Sequence, residues 1–486
     1  MDFTLFERPS VAILAATILI WFSYLVGLAL YRLYFSPLAK FPGPKLAALS
    51  QWYEFYYDVY LGGKFVFQIQ KLHKQYGPIV RITPFELHIE DSDYYEELYS
   101  RSARYDRYEW MSGRFGANNM TFTTAKSDLH AIRRAPLNPM FSKRSIAKFE
   151  PVIRDKIELL CKGLEEARDT GSVVDLINAF SAFTSEIITE YCFGFGYGHL
   201  ESKGFKENFH EPFKVIRSIP DWITVKMAPE LRLVLDLKVK ITNAINGEDK
   251  AQIKSSYPTI FHELLESNLP PQEKSVQRLA DEAQLMIGAG LLTTSWILTV
   301  IFFHILSNPR VLNLLRAELK ENFPDPNAKL VSIDLERLPY LSACIQEGQR
   351  LSDAVSGRSP RLSPEKATRY KDWTIPVNTP VSMTIIDIHH DPQIYQNSRE
   401  FIPERWLDNP KTGSGDSLSR LNTRNNGKQN MTGNNANVLS CGSESSVAAP
   451  ESPQIRGTLN PDPAAKEQLE LRHHSILAFG SARKEK

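Results

Sequence analysis

In the stretch CIQEGQRL, Glu347 and Arg350 stand three residues apart. On a helix that spacing puts a carboxylate and a guanidinium on one face, where they can pair. Farther along, FIPERWL sets Arg405 among aromatic residues, just after a proline that stops regular structure. A buried Glu347–Arg350–Arg405 network would pin a loop onto a helix, with one carboxylate between two guanidiniums. A solvated surface bridge, worth little, is the alternative. HAIRRAPLNPMFSK places His130 and Arg134 at i and i+4 on a short helix that proline ends. Such a face either holds carboxylates or is an ordinary cationic surface. GAGLLTTS, Gly288 to Ser295, combines small residues with the hydroxyls of Thr293 and Thr294. The glycines let a planar ligand or dioxygen approach a helix backbone, or simply let two helices pack closely.

Long elements must carry these groups. Helical periodicity runs through Asp155–Ala167, Asp281–Ser307, Arg310–Asn322 and Tyr340–Leu351. Short β-like runs occur at Ile79–Thr83, Leu87–Ile89, Trp373–Val377 and Val381–Thr384. The expected class is mainly α with small β-sheets, and no internal repeat is visible. The uncharged run Leu285–Phe303 is long enough for a membrane span, but its Gly, Thr and Ser suit a helix buried inside a large globule better.

The uncharged run Val11–Tyr31 reads as one N-terminal transmembrane helix. It is too long for a signal peptide, and no small-x-small cleavage site follows. Arg32, Lys40 and Lys45 follow it, which places the bulk of the chain in the cytosol. KFPGPKLAAL then reads as a stiff, non-helical hinge. A net charge of +1 provides no global field for nucleic acid, so no nucleic-acid partner is expected. Cys161, Cys192, Cys344 and Cys441 lie far apart with no CxxC spacing. That argues against a disulfide framework or structural zinc and fits a reducing compartment. Leu407 to Ala478 contains no Phe, Tyr or Trp and is rich in Asn, Ser, Gly and Pro, as expected of a disordered segment.

Taken in order, these pieces resemble a cytochrome P450 of the eukaryotic, membrane-anchored type, with wording similar to filamentous-fungal members that oxidise terpenoids and other secondary metabolites. The resemblance covers nearly all of residues 30 to 407. It includes LHKQYGPIVRITPFELHI (Leu72–Ile89), LPYLSACIQEGQRL (Leu338–Leu351) and TIPVNTPVSMTIIDIHHDPQIYQNSREFIPERWL (Thr374–Leu407). It implies the family's fold and a haem b cofactor. Glu347 and Arg350 map to the ExxR motif, with Arg405 as third partner. His130, Arg134 and, in GRSPRLSP, Arg361 map to contacts with the haem propionates. It further implies oxidation of a hydrophobic small molecule with O2, electrons from an NADPH-cytochrome reductase, and a place in the endoplasmic reticulum membrane. Ser102–Met120 falls where the family lines its substrate pocket.

The sequence departs from the family pattern twice. On the central helix Ala289, Gly290, Thr293 and Thr294 match, but Leu292 stands where an acid is usual, so a water chain through Thr293 would have to carry protons. At the end of the chain, Phe479 matches the haem-ligand loop, Ala482 and Lys484 replace its Gly and Arg, and Lys486 falls at the axial cysteine. The metal ligand is therefore expected to be absent, as are that loop's remainder and the last helix. Residues 1–34 are expected as the anchor, 35–408 as the P450-like domain, 409–474 as disordered and 475–486 as a loop remnant. Cys441 lacks the loop's neighbours, and Cys161, Cys192 and Cys344 are expected as small core residues. Three readings follow: a monooxygenase whose sequence is truncated or mis-spliced, a haem-free remnant or hydrophobic-ligand binder, and a haem-thiolate isomerase suggested by Leu292.

Overall fold

A computed structural model describes residues 9–100, 104–113, 119–209, 229–246, 257–325, 328 and 330–407. It divides into two compact units. Among the described residues, one comprises those up to Met111 and Gly357–Asp387, the other Ser112–Ser356 and those from Ile388 to Leu407.

The first unit begins with the helix Pro9–Leu30, continued by a wider turn over Tyr31–Phe35. The stretch Ala12–Phe35 has a mean hydropathy of 2.3 and is not buried in the protein. The expected non-helical hinge is corrected in its second half, because Lys45–Leu49 is a helix. Both prolines lie before it; Pro44, at φ −65°, occupies the N-cap, where no donor is needed. Gly43 lies against the main chain at Arg81. A Cβ there would stand 2.4 Å from the Arg81 carbonyl oxygen, so only glycine permits the approach. The helix Phe65–Tyr76 buries Phe65, Ile69, Leu72 and His73 along one face and stops at Gly77, whose φ of +94° favours glycine.

Seven short strands complete this unit: β1 Ile79–Arg81, β2 Leu87–Ile89, β3 Asp106–Arg107, β4 Arg361–Leu362, β5 Thr368–Tyr370, β6 Trp373–Ile375 and β7 Val381–Ser382. Five form a sheet of order β1-β2-β7-β4-β3, and β5 and β6 form a hairpin. β2 runs parallel to β7 with Leu87 opposite Val381, while β4 pairs antiparallel with both β7 and β3. β1 and β2 are buried throughout. Val80 and Ile82 pack with Phe65, Ile69 and Leu72 in the core of the unit.

The second unit is helical, and its described β content is nil. Lys143–Thr170 is capped by Ser142, which accepts from Ser145 N, and ends at the left-handed Gly171. Leu176–Phe193 starts with Asp175 accepting from Ile177 N. It is buried on nearly every side, a helix whose uniform apolarity hides its period in the sequence. Beside it runs the central helix Val276–Ser307, buried at positions such as Ala283, Ile287 and Leu291, as expected for a core helix. A Cβ on Gly290 would lie 2.9 Å from Ile188 Cγ1, so this glycine serves close helix packing. The helices Pro309–Asn322 and Pro339–Ser352 follow, and Ile301, Val311, Leu315, Leu341 and Cys344 join in their shared core.

Candidate functional site

Glu347 is wholly buried on the helix Pro339–Ser352. Arg350 Nη2 donates to Oε1 at 2.8 Å and Nε to Oε2 at 2.9 Å, the bidentate pairing that guanidinium geometry favours. Arg405 Nε donates to Oε1 at 2.9 Å, Ile402 N to Oε1 at 3.0 Å and Trp406 Nε1 to Oε2 at 2.9 Å. Burial alone would raise the carboxyl's pKa, but the bonds from Arg350, Ile402 and the charge of Arg405 hold it below the ordinary range. Arg350 spends its remaining donors on the carbonyls of His389, Ser398 and Glu400. Both guanidiniums also lie over the Tyr395 ring, at 4.9 and 6.0 Å. One carboxylate thus binds the segment 389–406 to the helix. The expected triad is brought together, as a buried network rather than a surface bridge.

Sequence reasoning missed Trp406 as a member of this network, although the indole one residue past Arg405 was its signal. It also missed the outer clamp. Glu404 accepts from Arg310 Nη1 at 2.6 Å and Nη2 at 3.2 Å, and from the Tyr340 hydroxyl at 3.1 Å. Glu318 reaches across from the preceding helix and accepts from Tyr340 N at 2.7 Å and Leu341 N at 2.8 Å, capping the helix that bears Glu347.

His130 and Arg134 share the helix Ser127–Arg134, and both are half-buried. Arg134 donates from Nε to Asn138 Oδ1 at 2.9 Å and stacks on Phe141 at 5.5 Å. Among the described residues its Nη groups find no acceptor. Its neighbour Arg133 is buried instead and grips Glu273, with Nε at 2.7 Å and Nη2 at 3.0 Å. Glu273 also accepts from Arg278, whose Nη1 donates to Glu282 at 2.6 Å, and Glu282 accepts from Thr121 through both its amide and its hydroxyl. This buried chain fixes the His130 helix to the start of the central helix. The i,i+4 spacing of Arg278 and Glu282 was a local signal that sequence reasoning passed over, while Arg133 and Thr121, far away along the chain, gave none.

Thr293 is half-buried on the central helix, and its hydroxyl donates to Ala289 O at 2.8 Å. Leu285, Gly288, Ala289 and Thr293 form a half-exposed stripe between the buried Ala283, Ile287 and Leu291. Leu292, at the expected acid position, packs against the apolar core. Arg361 lies in the other unit, on β4. Arg358, three residues earlier, anchors that segment by pairing with the buried Glu54 and Glu86. Arg361 itself donates to Ser359 Oγ at 2.8 Å and stacks on the Tyr99 ring at 5.0 Å. No carboxylate among the described residues pairs with it, and burial lowers its pKa.

Cys192 and Cys344 are fully buried, as expected of core residues; Cys161 differs, being only half-buried on the flank of Lys143–Thr170. Burial, with Glu404 and other carboxylates nearby, pushes the Cys344 thiol up to about 12. Among the described residues no group of His, Cys, Asp and Glu is arranged to hold a metal ion. Cys441, Lys486, the expected loop remnant and part of Ser102–Met120 lie outside the described residues.

The sequence matches the family model for cytochrome P450 over residues 47–422. It is 51% identical over 440 residues to the cytochrome P450 monooxygenase sdnE of Sordaria araneosa, covering 84% of this chain and 85% of that protein. It is 41% identical over 434 residues to the cytochrome P450 monooxygenase MO6277 of Ascocoryne sarcoides, covering 83% and 84%. With the tryptophan 6-hydroxylase fscE of Fusarium equiseti it shares 42% over 404 residues, covering 78% and 79%. The chain belongs to the cytochrome P450 family.

Membership implies a haem cofactor, a hydrophobic substrate and a redox partner, in a monooxygenase of fungal secondary-metabolism type. Two guanidiniums, each within its own unit, have the chemistry to pair with a carboxylate such as a haem propionate. Among the described residues Arg361 is a desolvated cation with no carboxylate partner, and Arg134 keeps its Nη groups without an acceptor. No cysteine among the described residues supplies the thiolate side of a haem. At neutral pH the Cys344 thiol stays protonated, and Cys192 is enclosed among Phe149, Tyr191 and Phe193.

Proposed function

We propose that this P450 hydroxylates or epoxidises a hydrophobic, terpenoid-like secondary metabolite, with O2 and electrons passed from NADPH by a cytochrome reductase at the endoplasmic reticulum membrane. His130 with Arg134 in one unit, and Arg361 in the other, are each suited to a propionate of haem b, and the network of Glu347, Arg350 and Arg405 would keep the segment after it in place. The bound haem supplies dioxygen activation, while the chain positions substrate and manages protons. Thr293 donates to Ala289 O, so its oxygen is free to accept from a water. Leu292 carries no proton, so that water is the route by which protons reach the stripe of Leu285, Ala289 and Thr293. Hydroxylation on an aromatic ring belongs among the positions to test, since one relative is a tryptophan 6-hydroxylase.

The observation that carries this reading is Arg361, a cation with no acid partner among the described residues, in a chain that matches the family over residues 47–422. The test is the reduced carbon-monoxide difference spectrum of the full chain, followed by a metabolite comparison between a deletion strain and its parent. A thiolate-type Soret band, and a hydrophobic precursor that accumulates in the deletion, support it. A chain that takes up no haem overturns it.

A second reading is favoured by the cysteines. None of those described is suited to bind iron as a thiolate, which is what a haem-free binder of hydrophobic molecules would show. Absence of the Soret band together with retention of a terpenoid-like ligand supports that reading.

A further inference from the structure

Arg32 is the first charged residue after the apolar run, and Arg81 ends β1 in the same unit. Arg81 is only 2% exposed. Its Nη1 donates to Arg32 O at 2.8 Å and its Nη2 to Pro84 O at 2.8 Å, while its buried Nε has no partner. Every acceptor it has is a main-chain carbonyl. Arg32 is half-buried, donates to Leu49 O and stacks over the Phe85 ring at 5.3 Å. Among the described residues no carboxylate pairs with either arginine. Burial, and then the charge of Arg32, lowers the Arg81 pKa to about 10, so Arg81 remains cationic at neutral pH. Two guanidiniums neutralised only by carbonyl dipoles gain most from an anion that reaches the outer one.

The surroundings say which anion. The helix Pro9–Leu30 has 22 residues, and at about 1.5 Å per residue it crosses the hydrocarbon core of a bilayer. Arg32, two residues beyond it, then lies at the level of the headgroups. Tyr31, Tyr34, Trp52, Tyr56 and Tyr60 are exposed in the same unit, rings of the kind that settle at a membrane–water boundary. Exposed Lys40 and Lys45 add to the local positive charge. We propose that Arg32, backed by the buried charge of Arg81, binds the phosphate of a phospholipid headgroup and so fixes the depth at which this unit sits in the membrane surface. The proposal rests on the reading of Ala12–Phe35 as a membrane anchor.

The test uses the full chain in phosphatidylcholine nanodiscs doped with phosphatidic acid, released and weighed by native mass spectrometry, with vesicle flotation in parallel. The wild type floats and retains phosphatidic acid. Arg32→Gln floats equally but retains about tenfold less or lower still, beyond the roughly fivefold effect of one basic residue at a membrane surface. Lys40→Gln, which removes a charge but not the paired site, loses no more than that roughly fivefold. Equal retention by Arg32→Gln and wild type overturns the headgroup site while leaving the anchor standing. Equal losses in Arg32→Gln and Lys40→Gln also overturn it, leaving only diffuse basic attraction. Failure of the wild type to float overturns the anchor and the site together.

Discussion

The indole N–H of Trp406 donates to Glu347 Oε2 at 2.9 Å, completing the shell around a carboxylate that no water reaches. Glu347 holds two guanidiniums, one amide and this indole, so it is the hub and the others are spokes. Removing the hub's charge leaves Arg350 and Arg405 buried without a counter-ion. Glu347→Gln is therefore expected to cost about 3–5 kcal/mol. Trp406→Phe keeps the ring and loses one bond to a charged group, at about 2 kcal/mol. Chemical denaturation midpoints of the two variants check the order. If Trp406→Phe is the more damaging, the indole acts through packing and not through Glu347.

Gly348, inside the same helix, faces Ile301 on the central helix. A Cβ at Gly348 would stand 2.1 Å from Ile301 Cγ1, too close for any relaxation of the flexible end alone. Gly348→Ala is expected to destabilise by about 1–3 kcal/mol through overpacking. Ile301→Ala removes the atom in the way, so the double variant should recover part of the loss, a coupling that a double-mutant cycle measures. Additive effects would show that the helices separate instead of clashing.

Glu318 gives the helix Pro339–Ser352 a cap from outside its own sequence neighbourhood, with both carboxylate oxygens on the amides of Tyr340 and Leu341. Leu338, at the N-cap, has no side chain able to do this. Glu318→Ala should therefore cost about 1–2 kcal/mol, as loss of an ordinary N-cap does, and Glu318→Gln less because its amide oxygen still accepts. Melting temperatures of the pair provide the comparison. Equal losses would mean that the charge, and not the bond, is what the helix uses.

Much of this was legible in the residues, and the reasons differ by element. The central helix, the helix bearing Glu347 and the β1–β2 region were readable because period and turn residues agree there. The Glu347–Arg350 pair was readable because its spacing is local. Arg405 had no spacing signal, since the contact joins residues 58 apart, and it was readable as a partner from the proline and aromatic residues around it, with the resemblance adding to that. Cys192 reads as part of a helical segment, but the bounds of the helix Leu176–Phe193 were not legible because its even burial erases amphipathic contrast. Lys45–Leu49 was misread because prolines forbid a helix only at the turns they enter, and both stand before its first residue. In the Arg133–Glu273–Arg278–Glu282 chain only the Arg278–Glu282 pair has a local spacing, and tertiary structure alone brings Arg133 to it.

His73 and His88 form a buried chain whose polarity is fixed at one end. The Gly77 carbonyl can only accept, so His73 Nδ1 carries the hydrogen of their 2.8 Å contact. His73 Nε2 must then accept from His88 Nδ1 at 2.7 Å, and His88 Nε2 accepts from the Thr384 hydroxyl at 2.8 Å. Both rings are neutral in this arrangement, and a proton on either places a second donor where an acceptor is required. Burial lowers the His73 pKa to about 4, and burial with the charges of His73 and Arg358 lowers that of His88 well below its ordinary value. Glu90 Oε2, 3.9 Å from His73 Nδ1, is too distant and exposed to reverse this. Above the usual histidine range, near pH 6.5, folded and unfolded chains bind the same number of protons here. Below it the unfolded chain takes up protons that the folded chain refuses, so stability falls by about 1.4 kcal/mol per pH unit for each histidine. For His73 the fall ends near its folded pKa of about 4. Denaturation midpoints between pH 7 and 5, a window above most carboxylate titrations, should drop in the wild type. His73→Gln, whose uncharged amide can donate to Gly77 O but does not titrate, should be less stable at pH 7 and show a shallower drop. Parallel slopes in the two proteins would place the acid sensitivity elsewhere.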